Sequence, residues 1–351
     1  MKAPRIVIGA GGTAGHVVPA LAVADALRAE GAEVTFIGGE RAELELVPKA
    51  GYELRRLRVK PLRRRRIAAA VGTGLVAGRA VARARSILGD LRPAASLGAG
   101  GYVAGPVGLA ALTLGVPLVL MEADSHLGLS NRLLTPFAAR VCLAFPLAGR
   151  EGARYRVTGR PVPPPATDRA RARARFGIAP EETCVLVFGG SQGARSINHA
   201  AIEAFAGADY HVLHAAGARD LPALSAPRPG YDLRGFIPEF GDALLASDLV
   251  IARAGGSLFE IAAHGRPAVL IPYPFATADH QSANARHMQR AGAAAVIPDH
   301  ELTPVRLAQE VGALLADPVR VATMGRASAA MAKPHAAGDI AHEVLAAARR
   351  P

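Results

Sequence analysis

The feature that most constrains this 351-residue chain is a unit that recurs: a short apolar run, a glycine-rich turn and a helix start. It occurs as Ile6-Val7-Ile8-Gly9-Ala10-Gly11-Gly12-Thr13-Ala14-Gly15-His16, as Leu97-Gly98-Ala99-Gly100-Gly101-Tyr102-Val103-Ala104-Gly105, and as Val187-Phe188-Gly189-Gly190-Ser191-Gln192-Gly193-Ala194-Arg195. A continuous apolar run of four to eight residues suits a strand buried on both faces, and a helix after each such strand gives a parallel sheet. Strands are predicted at Arg5 to Gly9, Glu33 to Gly38, Ala95 to Gly98, Pro117 to Met121 and Arg140 to Leu143. A second series is predicted at Cys184 to Phe188, Tyr210 to His214, Tyr231 to Arg234, Leu249 to Ala252 and Ala268 to Pro272. The fold class is therefore α/β, with two Rossmann-like, doubly wound parallel-sheet domains facing a cleft.

The alternation breaks at Val157-Thr158-Gly159-Arg160-Pro161-Val162-Pro163-Pro164-Pro165, which sustains neither helix nor central strand. The domains are placed at 1–160 and 161–351. From Thr303 onward only helices are expected, broken at Pro318 and Pro334. The 26 uncharged residues from Ser96 to Met121 are long enough to span a bilayer, but six glycines and two prolines divide them into strand, loop, helix and strand. The N-terminus reads as a strand entering a loop, with no signal-peptide pattern.

Each glycine turn lets the backbone approach a ligand, while the free N–H groups and dipole of the following helix favour an anion. Gly9-x-Gly11-x-x-Ala14 also fits the dinucleotide fingerprint, with Glu40 as the ribose carboxylate of a nicotinamide-dependent oxidoreductase. Such an enzyme needs one loop; three suit phosphorylated ligands held by both domains. The segment Arg253-Ala254-Gly255-Gly256-Ser257-Leu258-Phe259-Glu260 adds a Gly pair and a Ser cap. Glu260, one turn in, suits either a charge at the positive helix end or an acceptor for ribose hydroxyls.

The formal charge of +12 is one-sided. Residues 1–165 hold 23 Lys/Arg against 11 Asp/Glu, residues 166–351 hold 18 against 18, and residues 55–92 hold 12 basic groups against Asp90 alone. This field implies nucleic acid, an anionic membrane or a phosphorylated substrate. Aromatics make up 5% of the chain and Trp is absent, which excludes a base-stacking platform. A purely basic nucleic-acid or lipid-binding protein would leave the loops unused. Cys142 and Cys184, far apart in apolar contexts, are expected to be buried free thiols.

Gly11-Gly12-Thr13-Ala14-Gly15-His16 with Pro19, Gly100-Gly101-Tyr102 with Gly105-Pro106, Gly189-Gly190-Ser191-Gln192-Gly193-Ala194-Arg195 with Asn198, and Asp279-His280-Gln281 with Asn284-Ala285 together resemble the MurG family of UDP-N-acetylglucosamine transferases. The resemblance covers essentially the whole chain. It implies a GT-B fold and inverting transfer of N-acetylglucosamine to the 4-hydroxyl of undecaprenyl-pyrophosphoryl-N-acetylmuramoyl-pentapeptide at the cytoplasmic membrane face, in the last cytoplasmic step of peptidoglycan precursor synthesis. It also implies a helix near the end of the chain that returns to the first domain.

The same resemblance assigns Thr13, Ala14, Gly15 and Ser191 to the donor diphosphate-sugar, Ile237 to uracil, Gly255, Gly256 and Ser257 to phosphate, Glu260 to ribose and Gln281 to the sugar. Gly100, Gly101 and Tyr102 fall to the acceptor. It implies no cofactor. Three departures stand out. Met121-Glu122-Ala123-Asp124 replaces His-Glu-Gln-Asn, which puts Asp124 at a sugar-contacting Asn. Gly159-Arg160-Pro161-Val162-Pro163 replaces Gly-Asn-Pro-Val-Arg, which leaves Arg160 as the substitute for the phosphate-side Arg. The Arg253-to-Glu260 motif is one residue short.

No Asp-x-Asp occurs, so helix-start N–H groups, and not a metal clamp, are expected to stabilise the leaving diphosphate. His16 is the candidate general base; orienting the loop or meeting acceptor phosphate are its other possible roles. The basic stretch 55–92 is assigned to an anionic membrane surface, with Arg63 to Arg66 before an uncharged run and Leu75, Val76, Val81, Ile87 and Leu88 available to enter lipid. No nucleic-acid partner is expected.

Overall fold

A computed structural model of the chain describes residues 3–57, 70–190, 193–276 and 279–349, with the side chains of 70–77 outside that description. The chain forms two compact units, residues 1–162 with 333–351, and residues 163–332.

The first unit runs β1 (Arg5–Gly9), α1 (Ala14–Ala29), β2 (Glu33–Gly38), α2 (Glu43–Lys49), β3 (Glu53–Arg56), α3 (Ala70–Leu91), β4 (Ala95–Gly98), α4 (Gly101–Thr113), β5 (Leu118–Glu122), α5 (Leu129–Leu134), β6 (Arg140–Leu143) and β7 (Tyr155–Val157). Its sheet has the order β3-β2-β1-β4-β5-β6-β7, every pair parallel. Alternate residues of β1 serve opposite faces, as the two-residue period of a strand requires. Ile6 and Ile8 join the core under α1, whereas Val7 joins the core under α3 and α4. A helix at Ala336–Ala348 completes the first face, adding Ile340, Ala341, Val344 and Leu345 to the core with α1. Its Glu343 bonds Arg140 at 2.8 Å and Arg156 at 3.3 Å, which fixes it across β6 and β7.

The second unit runs α6 (Arg169–Arg175), β8 (Cys184–Phe188), α7 (Arg195–Ala204), β9 (His211–Ala215), β10 (Tyr231–Arg234), α8 (Phe240–Ala246), β11 (Leu249–Ala252), α9 (Leu258–Ala263), β12 (Ala268–Leu270), α10 (His280–Arg290), β13 (Ala294–Val296), α11 (Pro304–Leu315) and α12 (Pro318–Ala330); the helix at 336–348 is α13. The sheet order is β10-β9-β8-β11-β12-β13, again parallel. Pro318 sits at the first position of α12, where its missing N–H costs nothing, and Asp317 caps that helix by accepting from Arg320 N.

In each sheet the order reverses direction at one point, between β1 and β4 and between β8 and β11. The loops after these strands part to opposite faces and leave a crevice at the carboxyl ends, the site at which ligands bind in open α/β sheets. All three recurrent glycine loops and the Arg253–Ser257 segment follow these four strands.

Some expectations are corrected. Strands β3, β7 and β13 are absent from the predicted series; all three are sheet edges, and β3 and β7 carry charged residues where a central strand would be apolar. The α1 helix begins at Ala14, directly after the glycine turn, and carries Pro19 inside it. Of the side chains expected to enter lipid, Ile87 and Leu88 are buried and Val81 packs against the same core; Arg63 to Arg66 lie outside the described residues. The uncharged segment 96–121 forms strand, helix and strand, and among the described residues no helix is long and apolar enough to cross a membrane. Cys142 and Cys184 are buried and free, and burial pushes both thiols up to about 12.

Candidate active site

In the first unit the glycine loops after β1 and β4 press against each other. Gly101 has φ +75°, and a side chain there would overlap the Gly11 carbonyl. Gly100 has φ +91°, and a Cβ there would stand 2.7 Å from Cδ2 of His16. These two glycines therefore serve a close approach of backbones, with the His16 ring laid over the second loop. Thr13, Ala14 and Gly15 remain exposed at the start of α1.

A buried carboxylate holds this arrangement. Glu43, fully buried at the start of α2, accepts from Gly12 N at 2.9 Å and Gly39 N at 2.8 Å, and from the Tyr102 hydroxyl at 3.2 Å. The Tyr102 oxygen in turn accepts from Glu40 N at 3.2 Å. Tyr102, expected at the acceptor, thus has its hydroxyl committed to the loop scaffold. Glu40 lends its backbone to the same network. A second carboxylate does the same after β5: Glu122 accepts from Gly128 N at 2.8 Å, Asn131 Nδ2 at 3.0 Å and Asp124 N at 3.2 Å. Burial raises its carboxyl above the usual range, against the pull of these donors.

His16 Nδ1 lies 3.3 Å from Thr13 Oγ1. In the tautomer that donates from Nδ1 to this hydroxyl, Nε2 is left with a lone pair. Burial lowers the His16 pKa, the Arg160 charge lowers it further and the Asp124 charge raises it. The imidazole is thereby biased towards the neutral form that can accept a proton. Arg160 Nη2 donates to the Gly15 carbonyl at 2.6 Å.

In the second unit, Gly193 has φ +72°, and a side chain there would overlap the Ala216 carbonyl, so the loop after β8 touches the loop after β9. A buried chain of hydrogen bonds supports the contact. Asn198 Nδ2 donates to Ala216 O at 2.9 Å and to Asp220 Oδ2 at 3.2 Å, His214 Nε2 lies 3.1 Å from Asn198 Oδ1, and the Tyr231 hydroxyl lies 2.8 Å from His214 Nδ1. Burial lowers His214 to about 4, so the ring is neutral, donating from Nε2 and accepting at Nδ1. Asp220 also pairs with Arg219 at 3.0 Å and Arg195 at 3.5 Å. Ser191 lies outside the described residues.

Gly255, Gly256 and Ser257 stand half-buried before α9, and Ser257 occupies the cap position without a side-chain capping bond. Glu260 lies in the first turn of that helix. A Cβ on Gly255 would stand 3.8 Å from Gln281 Nε2, while Gln281 Oε1 accepts from Tyr273 N at 3.0 Å. Asn284 Nδ2 donates to Ala254 O at 3.0 Å. The loop after β11 and the start of α10 are thus brought together. Arg253 is the buried organiser: it donates to Ile271 O, Pro272 O and Asp299 Oδ1 through Nη1, and to Ser196 Oγ through Nη2. Ile237, expected to meet uracil, is 2% exposed and packs in the core, whereas neighbouring Phe236 is exposed.

Glu43, Glu122 and the His214 chain escape a reading of the sequence. The one signal for Glu43 was its place in the first turn of a short helix just after a Gly pair.

Residues 6–143 match the model of the glycosyltransferase family 28 N-terminal domain, and residues 184–340 match that of its C-terminal domain. The chain is similar to a protein of Sorangium cellulosum, 41% identical over 99% of this chain and 89% of the relative. It is similar also to one of Moorella thermoacetica, 40% identical over 97% of this chain and 98% of the relative. Both bear the name UDP-N-acetylglucosamine--N-acetylmuramyl-(pentapeptide) pyrophosphoryl-undecaprenol N-acetylglucosamine transferase. Among solved structures, Acinetobacter baumannii MurG superposes with a TM-score of 0.80 at 28% identity, covering 98% of this chain and 100% of that one. The calicheamicin glycosyltransferase CalG4 shares the fold, with a TM-score of 0.73 at 21% identity over 99% of each chain.

Proposed function

Because the chain belongs to glycosyltransferase family 28, we propose that it catalyses the reaction for which its relatives are named. It transfers N-acetylglucosamine from UDP-N-acetylglucosamine to undecaprenyl-pyrophosphoryl-N-acetylmuramoyl-pentapeptide. The observation that carries this reading is the placement of three family motifs and the Arg253–Ser257 segment after the strands that flank the two strand-order reversals, where helix starts suit a diphosphate.

The 4-hydroxyl of the muramoyl sugar attacks the anomeric carbon as the bond from that carbon to the UDP oxygen breaks, with inversion. His16 Nε2 takes the hydroxyl proton while Nδ1–H donates to Thr13 Oγ1. UDP leaves with the bonding pair, and the N–H groups of Gly255 to Ser257 meet the growing charge. Glu260 takes the ribose hydroxyls, Gln281 the transferred sugar and the Ile237 backbone the uracil. The family resemblance also gives Thr13 to Gly15 to the donor. Gly100 and Gly101 shape the acceptor side, and Tyr102 acts there through the scaffold it shares with Glu43.

The enzyme works as a peripheral protein at the cytoplasmic membrane face. The first unit, which carries the positive charge, also exposes Leu129 (51%), Leu133 (63%) and Phe137 (69%) along α5 and the turn after it, with Arg132 among them. Apolar side chains beside basic ones suit an anionic interface. The deciding assay is UDP release from UDP-N-acetylglucosamine. Release that depends on the lipid-linked muramoyl-peptide supports the reading, and equal release without it refutes the assigned acceptor.

A further inference from the structure

We infer that Asp124 and Arg160 form an opposed charge pair set about His16, Asp124 acting as a positioning residue that stabilises the imidazolium and Arg160 as the cation that limits this effect. The inference rests on the reading of His16 as the reacting base, and it gives Asp124 a task other than contacting the sugar.

The first observation is how Arg160 is held. Pro19 lies inside α1 and has no N–H, so the carbonyl four residues earlier, that of Gly15, lacks its helical donor. Arg160 Nη2 supplies one at 2.6 Å. The guanidinium is thereby fixed one residue before His16 by an acceptor that the helix itself leaves open.

The second observation is how Asp124 is held. Strands β1, β4 and β5 are successive neighbours in the sheet, so the loops carrying His16, Gly100 and Asp124 leave it side by side at the carboxyl ends. Gly100, lacking a side chain, lets the His16 ring lie on the middle loop. Glu122, itself held by Gly128 and Asn131, accepts from Asp124 N and fixes the backbone there. Among the described residues, Arg160 and Asp124 are the charged groups whose fields act on His16, in opposite directions; Thr13 and Gly100, also against the ring, bring no charge.

The chemistry follows. Proton uptake by His16 creates a cation in a partly dry site, which a neighbouring carboxylate stabilises and a neighbouring guanidinium opposes. Both charged residues stand where the sequence departs from the pattern it resembles: Asp124 adds a negative charge, and Arg160 sets a positive one three residues before the Pro163 that replaces the pattern's Arg. One change alone would displace the imidazole titration; together their effects oppose each other.

The test uses the full chain with Asp124→Asn, Arg160→Gln and the double substitution. Nuclear magnetic resonance titration of labelled histidines, with the His16 signal identified by its loss in His16→Gln, reads the imidazole in the absence of substrate. Asp124→Asn moves the titration down and Arg160→Gln moves it up, each by ~0.5 to 1 pH unit, and the double variant returns close to the parent. Singles that leave the titration unmoved, or move it in the same direction, overturn the proposal. The acid limb of kcat/KM for the lipid-linked acceptor shifts with the titration if His16 is the base. A titration that moves as stated over an unmoved limb upholds the charge pair and refutes His16 as base.

Discussion

The Glu43 carboxylate receives the Gly12 N–H at 2.9 Å, although Glu43 belongs to the helix after β2 and Gly12 to the loop after β1. With Gly39 N on its other oxygen, it ties two loops and, through Tyr102, the start of α4. Glu43→Gln replaces one accepting oxygen with an NH2 group facing a donor. A loss of about 1 to 3 kcal/mol in stability is expected, seen in urea denaturation. Turnover should fall more than UDP affinity does, because the first loop shifts while the second unit is untouched.

Gly101→Ala forces a side chain into the Gly11 carbonyl at a backbone angle that L-residues avoid. The left-handed conformation alone costs about 1 to 2 kcal/mol. Relief of the overlap must part the two loops and move His16, so turnover falls roughly a hundredfold, as for displacements near 1 Å. Steady-state kinetics checks this well below the unfolding temperature.

The buried His214 makes the second unit sensitive to acid. Its pKa is about 4 in the folded chain, below the 6.5 of an unconstrained histidine, so between these values the unfolded chain binds more protons. This contribution is fully present above about pH 6.5 and is lost as pH falls towards 4, by ~3 kcal/mol at most. Replacing His214 with Gln should flatten that part of the stability profile, measured by denaturation between pH 4 and 7.

Arg253→Lys keeps the charge but loses the fork. Four acceptors now served by two guanidinium nitrogens cannot all be reached by one ammonium. A cost of about 1 to 3 kcal/mol is expected from the acceptors left unpaired. Arg253 stands two residues before Gly255, so KM for UDP-N-acetylglucosamine should rise several-fold while the pH profile of kcat keeps its shape.

Central strands such as Cys184–Phe188 were legible because burial on both faces demands a continuous apolar run. The edge strand Glu53–Arg56 was not, since one side meets water and its arginines read as part of a basic surface. The glycine loops were legible as anion sites, yet what braces them was hidden. Glu43 meets Gly12 only because β2 lies beside β1, and Asn198 meets Ala216 only because β9 lies beside β8. Strand order is a property of the folded sheet, and no local spacing encodes it. Apolar character along the chain was similarly ambiguous: Ile87 and Leu88 serve the core, whereas Leu133 and Phe137 face outward.

The α13 helix belongs to the first unit, yet 170 residues of the second unit, 163–332, are synthesised before it. At about 5 to 20 residues per second, the first sheet waits roughly 10 to 30 s on the ribosome with the apolar face beside α1 uncovered. The second unit is contiguous and can fold during that interval. The first therefore closes last, and the nascent chain offers Val23, Leu27 and their neighbours to chaperones until Ile340 and Val344 emerge.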